Sequence, residues 1–208
     1  MTSKPFSPLT PQNEKGTSYI NQKKPSRGEA EQAVVTLLKW IGENAEREGL
    51  RDTPARFTKA WEEHFSGYHK DPKAELSKFF EDIEGYDDII LLKGIRFHSF
   101  CEHHIHPITG KASIAYWPDK RIVGISKLAR VIDIFAKRLI SQEMMTQNIV
   151  DAIQDSLLPK GVAIQIEAEH TCMSTRGVSK EDVLTVTNAF TGVFREPDKQ
   201  NRFFAQIT

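Results

Sequence analysis

The sequence predicts an α+β protein in which two helices cover one face of an antiparallel sheet, with further helices ahead of the sheet. Short strand-like segments occupy 89–92, 96–99 and 111–117, and others follow at 162–169 and 184–194. Between these groups lie two longer stretches with apolar residues at helical spacing. The resulting order, β-β-α-α-β-β, is typical of an antiparallel sheet with helices on one side.

The first third of the chain predicts an arm followed by two helices. Residues 1–25 are polar, bear several prolines and lack periodicity, so we expect a mobile arm. Ser26 and Glu29 form a capping box, and the helix that they begin is expected to last until Gly49. Thr53-Pro54, a cap followed by proline at the first helical position, begins the second helix.

The two core helices are expected to pack on the strands that flank them. Ser126, which follows a glycine, suits the N-cap of the first, and Gln142-Glu143 is expected to close it. The apolar face of this helix comprises Leu128, Val131, Ile132, Phe135 and Leu139. The second helix runs from about 145 to 158. The strand over 162–169 then alternates apolar and polar residues, which indicates one buried and one wet face.

Composition and charge bound the class of protein. The length suits one domain over 26–208, with a helical part over 26–70 and a core over 89–208. Acidic and basic residues number 28 each, and no Lys/Arg run exceeds Lys23-Lys24. This argues against a nucleic-acid binder and against a polybasic membrane anchor. Neither a secretory signal nor an apolar run of membrane-spanning length occurs, so we expect a cytoplasmic protein.

Both cysteines lie in short clusters that also contain histidine, Cys101-Glu102-His103-His104 and His170-Thr171-Cys172. Cys-x-x-His with a distant cysteine supplies three ligands suited to Zn²⁺ and leaves the fourth tetrahedral position open. A metal with an open position activates water, and His103 and His170 lie beside the ligands, where they could move protons. This combination points to a hydrolytic enzyme.

Spacing alone leaves other interpretations of these clusters open. The cysteines could form a disulfide, which a reducing compartment disfavours, or they could be two buried structural thiols. A closed structural zinc site needs four protein ligands, and His103 or His170 could supply the fourth. The spacing supports the open and the closed zinc site about equally.

Charged and polar side chains near the predicted helix ends suggest contacts to an anionic ligand. Lys127 and Arg130 lie at a helix start, where free N–H groups and the helix dipole favour an anion. Arg176 closely follows the second cluster and adds a third cation near the metal site. Gln142-Glu143 places an amide beside a carboxylate, a pair that can bind a base edge. Each pattern taken by itself is more often a solvated helix face.

Taken together and in this order, these clusters resemble the GTP cyclohydrolase I family. The resemblance covers about residues 30–205. Its motifs are Arg47-Glu48-Gly49-Leu50, Asp52-Thr53-Pro54 with Arg56, Phe65-Ser66-Gly67-Tyr68, Cys101-Glu102-His103-His104, Gly124 through Arg130, Gln142-Glu143, His170-Thr171-Cys172-Met173, Arg176-Gly177-Val178, Thr185-Val186-Thr187 and Gly192 through Glu196.

The resemblance implies a tunnelling fold, a barrel assembled from several subunits with active sites between neighbouring chains, and so a homo-oligomer, expected to be a decamer. It implies Zn²⁺ held by Cys101, His104 and Cys172, with proton transfer by His103 and His170. The other implied residues contact the substrate GTP: Ser126 and Gln142 on ribose and base, Glu143 on guanine, and Lys127, Arg130, Arg176, Arg56 and, less directly, Lys59 on the triphosphate.

The implied reaction converts GTP and water to 7,8-dihydroneopterin triphosphate and formate, the first step of a pterin or folate pathway. Water attacks C8 of guanine while protonated His170 acts at N7, and His103 with Ser126 assists ribose opening. Two departures, Thr175 for a common methionine and His106 for an apolar residue, touch none of these roles.

Two other functions stay open at this point. One is a non-catalytic, zinc-stabilised assembly module that binds purines or pterins, against which the intact His103 and His170 argue. The other is a related tunnelling-fold pterin synthase, against which the two cysteines argue because that family ligates zinc with histidines.

Overall fold

The computed structural model describes residues 24–81 and 85–208. They belong to two compact units, of which one ends at Glu63 and the other spans His64–Thr208. The division falls inside the helical part predicted over 26–70. Nearly all of the predicted arm lies outside the described residues.

The first unit contains two helices, α1 (Arg27–Trp40) and α2 (Thr53–His64, whose last residue opens the second unit). The capping box that starts α1 is confirmed, since the Ser26 hydroxyl accepts from the Glu29 N–H and the Glu29 carboxylate accepts from the Ser26 N–H. The expectation that α1 lasts until Gly49 is wrong. The helix ends at Trp40 because the chain turns at Gly42, whose φ of +86° is open to glycine at little cost.

Within its described residues, the second unit contains the strands and five further α-helices. The strands are β1 (Phe79–Phe80), β2 (Ile90–Phe100), β3 (Pro107–Trp117), β4 (Ile122–Val123), β5 (Gly161–His170) and β6 (Leu184–Phe190). The helices are α3 (Pro72–Leu76), α4 (Ile125–Ala136), α5 (Gln142–Leu157), α6 (Thr171–Ser174) and α7 (Pro197–Ile207). Among the described residues, no helix combines the length and the apolar character that crossing a membrane requires.

The main sheet is antiparallel throughout, in the order β2-β3-β5-β6, and β1 pairs separately with β4. The two strands predicted over 89–92 and 96–99 are one strand, β2, interrupted by a register shift between Leu92 and Ile95. Gly94, at φ +71°, lies inside this bulge.

Helices α4 and α5 pack on one face of the sheet and form the core with it, as the sequence predicts. The buried residues of α4 include Leu128, Val131, Ile132 and Phe135, which meet Ile114, Ile164 and Ile166 of the strands. At one end of the opposite face, α7 covers Ala115 and Ala163 with Phe203. Helix α7 is absent from the elements predicted from the sequence.

Two expected helix boundaries are wrong, and both bear on the site. Gly124 is the N-cap of α4, so Ser126 lies in the first turn. The helix ends at Ala136, before Leu139, which forms a bridge with Phe100. Gln142-Glu143 therefore does not close α4 but opens α5, where the Ser141 hydroxyl caps the helix by accepting from Met144 N–H.

Candidate active site

The first cysteine cluster forms the tight loop between β2 and β3. Cys101 N–H donates to the His106 carbonyl (2.9 Å), and Ile105 N–H donates to the Cys101 carbonyl (2.8 Å). Ile105 has a φ of +54°, a left-handed conformation that costs a β-branched residue about 1–2 kcal/mol. These contacts fold the loop back on itself and bring the side chain of His104 toward that of Cys101, whose Sγ lies 4.0 Å from His104 Nδ1.

Strand register brings the second cluster to this loop. His170, the last residue of β5, pairs with Ile108 near the start of β3. The short helix α6 follows at once, and the Thr171 hydroxyl donates to the Pro107 carbonyl at 2.7 Å. Cys172 is thereby fixed beside the β2–β3 loop, although it lies far from Cys101 in sequence.

Cys101, His104 and Cys172 form a group able to hold a metal ion. Their ligand atoms all lie within 4.8 Å of one another, and both thiols are free. In a tetrahedral zinc site with ordinary bond lengths, neighbouring ligand atoms lie about 3.5–3.8 Å apart, so small side-chain movements complete the geometry. Two thiols and an imidazole are a donor set that suits zinc. The residues present therefore fit the expected ion.

The electrostatic surroundings of Cys172 are mixed. Burial raises the pKa of the Cys172 thiol, and the neighbouring Cys101 raises it further, whereas the Arg176 guanidinium lowers it. Arg176 follows α6 and is exposed, and its effect on the Cys172 thiol places this third predicted cation within electrostatic reach of the ligand group. The hydroxyl of Thr175 donates to the Thr171 carbonyl at 2.6 Å, at the end of α6.

His170 is held by a buried glutamine. Gln142 is 2% exposed, and its Oε1 lies 2.8 Å from His170 Nε2. The amide nitrogen of Gln142 faces three acceptors: the carbonyls of Ile166 and Thr185 and the hydroxyl of Thr187. Because carbonyls only accept, Oε1 must face the imidazole, and His170 Nε2–H must donate to it. The opposite ring nitrogen, Nδ1, is then left to exchange a proton.

The other predicted residues at this end, Glu143 and His103, are exposed. Burial lowers the pKa of His170, and the Glu143 carboxylate in the first turn of α5 opposes that effect, which places Glu143 within electrostatic reach of the imidazole. His103 Nδ1 lies 3.6 Å from Cys101 Sγ, but the ring is largely exposed and is not one of the three grouped ligands. His106 is half-buried and stands outside that group as well.

Two of the predicted phosphate-binding cations, Lys127 and Arg130, lie elsewhere in the same unit. Ser126 is exposed in the first turn of α4, and Lys127 and Arg130 follow it. Helix α4 ends at Ala136, and four residues later Ile140 N–H approaches the carbonyl of Phe100, the residue directly before Cys101. Lys127 is roughly 14 Å from that end along the helix axis. The structure thus does not bring this pair to the ligand group of its own chain.

An acidic residue that contacts Lys127 and Arg130 was not predicted from the sequence. Glu75 Oε1 of α3 lies 2.9 Å from Lys127 Nζ and 2.9 Å from Arg130 Nη1. The two other predicted cations, Arg56 and Lys59, belong to α2 in the first unit. Both are exposed, and Arg56 pairs with Asp52 at 2.9 Å.

The fold and the ligand group together define an α+β protein with three side chains able to hold a metal ion and a histidine oriented by a buried glutamine beside them. Comparison with known proteins gives the family. The model of the family described as GTP cyclohydrolase I matches residues 30–208, and the chain belongs to that family. Its antiparallel sheet with two helices on one face is the subunit of a tunnelling fold.

Several curated relatives are similar over nearly their whole length. GTP cyclohydrolase 1 of Hyphomonas neptunium is 57% identical, over 87% of this chain and 88% of the relative. GTP cyclohydrolase 1 of Maricaulis maris is 52% identical, over 94% of this chain and 95% of the relative. A solved structure, archaeosine synthase QueF-Like in the apo form, is 16% identical over 51% of this chain and 96% of its own, with a TM-score of 0.43.

Proposed function

We propose that this protein is a zinc-dependent GTP cyclohydrolase I, which converts GTP and water to 7,8-dihydroneopterin triphosphate and formate. The observation that carries the proposal is the group of Cys101, His104 and Cys172 with His170 beside it, in a chain of this family. The proposed domain is 26–208, and the family match begins at residue 30, after the arm. The free thiols favour the cytoplasm as the compartment.

Zinc is the proposed ion, held by Cys101, His104 and Cys172. When bound, it supplies a Lewis acid that makes a potent nucleophile of water at neutral pH. The protein contributes a preformed group of three ligands, positioned by the β2–β3 loop and by α6. Because the group has three members, a bound ion would keep a fourth position for water, as in catalytic rather than structural zinc sites.

His170 is the proposed acid at N7 of guanine. Since Nε2–H is committed to Gln142, Nδ1 is the nitrogen that gives and takes the proton. Protonating N7 makes C8 a better electrophile for attack by water. We therefore assign Gln142 to the orientation of His170 rather than to a ribose or base contact, because its amide hydrogen bonds are satisfied within the chain.

Glu143 is the proposed guanine anchor. It lies in the first turn of α5, next to Gln142, and its side chain is exposed and so accessible to a ligand. A carboxylate accepts hydrogen bonds from the N1–H and the exocyclic amine of guanine. Adenine lacks this pair of donors, so the carboxylate would remain unpaired against ATP.

The triphosphate contacts are proposed for Lys127, Arg130, Arg176, Arg56 and Lys59, and Ser126 with His103 for ribose opening. Ser126 lies in the first turn of α4, and His103 lies in the β2–β3 loop near the opposite end of that helix. One chain therefore does not bring the two side chains together. We infer that neighbouring chains share each active site, the start of α4 coming from one chain and the zinc ligands from another. The open edges of the sheet, β2 and β6, are suited to pairing between chains, and a decamer is the proposed assembly.

Incubation of the purified protein with GTP tests the function. We expect stoichiometric formate and a product that becomes fluorescent as a pterin after oxidation. The matched control is the Cys172→Ser variant, which retains the fold but lacks one ligand. Binding of GTP without release of formate would contradict the proposal and favour the non-catalytic binding module.

A further inference from the structure

A single carboxylate pairs with two cations at the start of α4. Glu75 Oε1 is shared by Lys127 Nζ and Arg130 Nη1, each at 2.9 Å. The Lys127 and Glu75 side chains are only 22% and 24% exposed, whereas that of Arg130 is 60% exposed. The ion pair is therefore partly shielded on the lysine side and open to solvent on the arginine side.

Glu75 is presented by a segment that is well anchored. It belongs to α3, whose first turn is capped by the Asp71 carboxylate accepting from Lys73 N–H, and whose last residue, Leu76, is fully buried. Hydrogen bonds from Lys127 and then Arg130 hold the pKa of Glu75 below its ordinary value. The carboxylate is thus ionised at neutral pH and is held in place by the fold.

The contacts leave most of the hydrogen-bonding capacity of the two cations unused. A lysine ammonium has three donors and an arginine guanidinium has five, whereas each uses one on the shared oxygen here. Partly exposed ion pairs of this kind contribute little to stability, because solvent screens them. A ligand with several charged oxygens can accept more hydrogen bonds from the two cations than the single oxygen of Glu75 accepts.

We propose that Glu75 is a displaceable counter-ion, which occupies Lys127 and Arg130 until the triphosphate takes its place and which thereby sets the affinity for that group. The inference rests on the proposed function, because it takes these two cations as triphosphate ligands. Glu75 holds both side chains at the start of α4 in the absence of substrate, and it competes with the substrate for them. It is a determinant of affinity and does not touch the reacting atoms.

Calorimetric titration of the full chain with inorganic triphosphate tests the proposal without requiring turnover. The isosteric Glu75→Gln variant is expected to lower the Kd about three- to tenfold at low ionic strength, because the competing charge is gone. Glu167→Gln is the matched control, since it removes a carboxylate from another partly exposed lysine pair, Lys111–Glu167 at 3.4 Å. Its Kd is expected to equal that of the unmodified protein.

A second series shows whether the effect runs through the two cations. In a Lys127→Ala/Arg130→Ala background, adding Glu75→Gln is expected to leave the Kd unchanged. Unchanged or weaker triphosphate binding in the single Glu75→Gln variant, with thermal unfolding as before, would overturn the proposal. A protein that fails to turn over GTP yet shows the expected gain refutes the proposed function alone, because the titration does not depend on catalysis.

Discussion

The two ends of helix α4 differ in how complete their sites are within one chain. Near its C-terminal end, Cys101, His104 and Cys172 already face one another, and His170 is held in one tautomer. At its N-terminal end, the cations are paired with Glu75, and none of the grouped metal ligands of the described residues lies there. One end has the groups for chemistry, and the other has charges for an anion.

This difference follows from how each end is built. The ligand group arises from local connections, namely a hairpin loop and a short helix that strand register places beside it. The cations belong to the N-terminal part of α4, at the end of the helix away from the ligand group. Under the proposed function, a substrate that requires both sets of groups would lie between neighbouring chains, and variants at the two ends should fail in different ways.

The largest effect is expected from Cys172→Ser, which removes a ligand at the end that carries the chemistry. Loss of one thiolate should empty the zinc site and reduce GTP turnover by on the order of 10⁴-fold or more. Elemental analysis beside activity measures both. Ser174→Ala, in the same short helix, is the control and should keep its zinc. Full zinc content and full activity in the Cys172 variant would remove it from the ligand set.

Base selection at the same end should depend on Glu143. In Glu143→Ala, the preference for GTP over ATP is expected to fall by roughly 10⁴-fold, because the carboxylate that ATP leaves unpaired is absent. Turnover of both nucleotides gives the ratio. Glu169→Ala, which changes a carboxylate on the adjoining strand β5, serves for comparison. An unchanged ratio would show that guanine is recognised by other groups.

Removing the proposed acid, His170, should slow the reaction without loss of the metal. His170→Ala is expected to retain zinc and to bind GTP, while turnover falls about 10²–10⁴-fold. His103→Ala should also retain zinc, and a formamide intermediate should accumulate because ribose opening is slowed. Single-turnover product analysis with zinc content distinguishes the two variants. Zinc lost in proportion to activity would make either histidine a ligand.

A smaller effect is expected at Gln142, where the structure and the family resemblance assign different roles. As the residue that orients His170, Gln142→Ala should lower kcat about tenfold and leave the KM for GTP nearly unchanged. The variant should also unfold more easily, by about 1–3 kcal/mol, because buried acceptors lose their donor. Gln142→Glu cannot donate to those carbonyls when ionised and should not rescue. A raised KM with unchanged kcat would restore the role of substrate contact.

Much of the core could be predicted from the sequence because its signals are local. Alternation over 162–169 identified β5, and the Ser26 capping box identified the start of α1. The end of α4 was misplaced because Leu139 continues the apolar spacing beyond Ala136, where the helix stops. Helix α7 does carry a local signal, namely proline at its first position followed by an apolar stripe.

The site could be predicted from the sequence where its residues are of types that typically bind metals. Two cysteines beside histidines identified the ligand group, and the structure brings those residues together. The sequence contains no comparable pattern that predicts the contacts of Glu75 or the buried contacts of Gln142. Glu75 meets Lys127 only through tertiary packing, and the Gln142 side chain is fixed by acceptors on β5 and β6. An ordinary glutamate or glutamine gives no local pattern from which such pairs can be read.

The most direct test of a site shared between the two ends uses two inactive variants. Cys172→Ser lacks the metal half, and Lys127→Ala/Arg130→Ala lacks the phosphate half. When the two are co-expressed and assemble at random, about a quarter of the shared sites should combine two intact halves. Mixed oligomers should then regain about a quarter of the normal GTP turnover, far above either variant alone. Activity no greater than the mean of the two variants would mean that one chain supplies both halves, which would contradict a site shared between neighbouring chains.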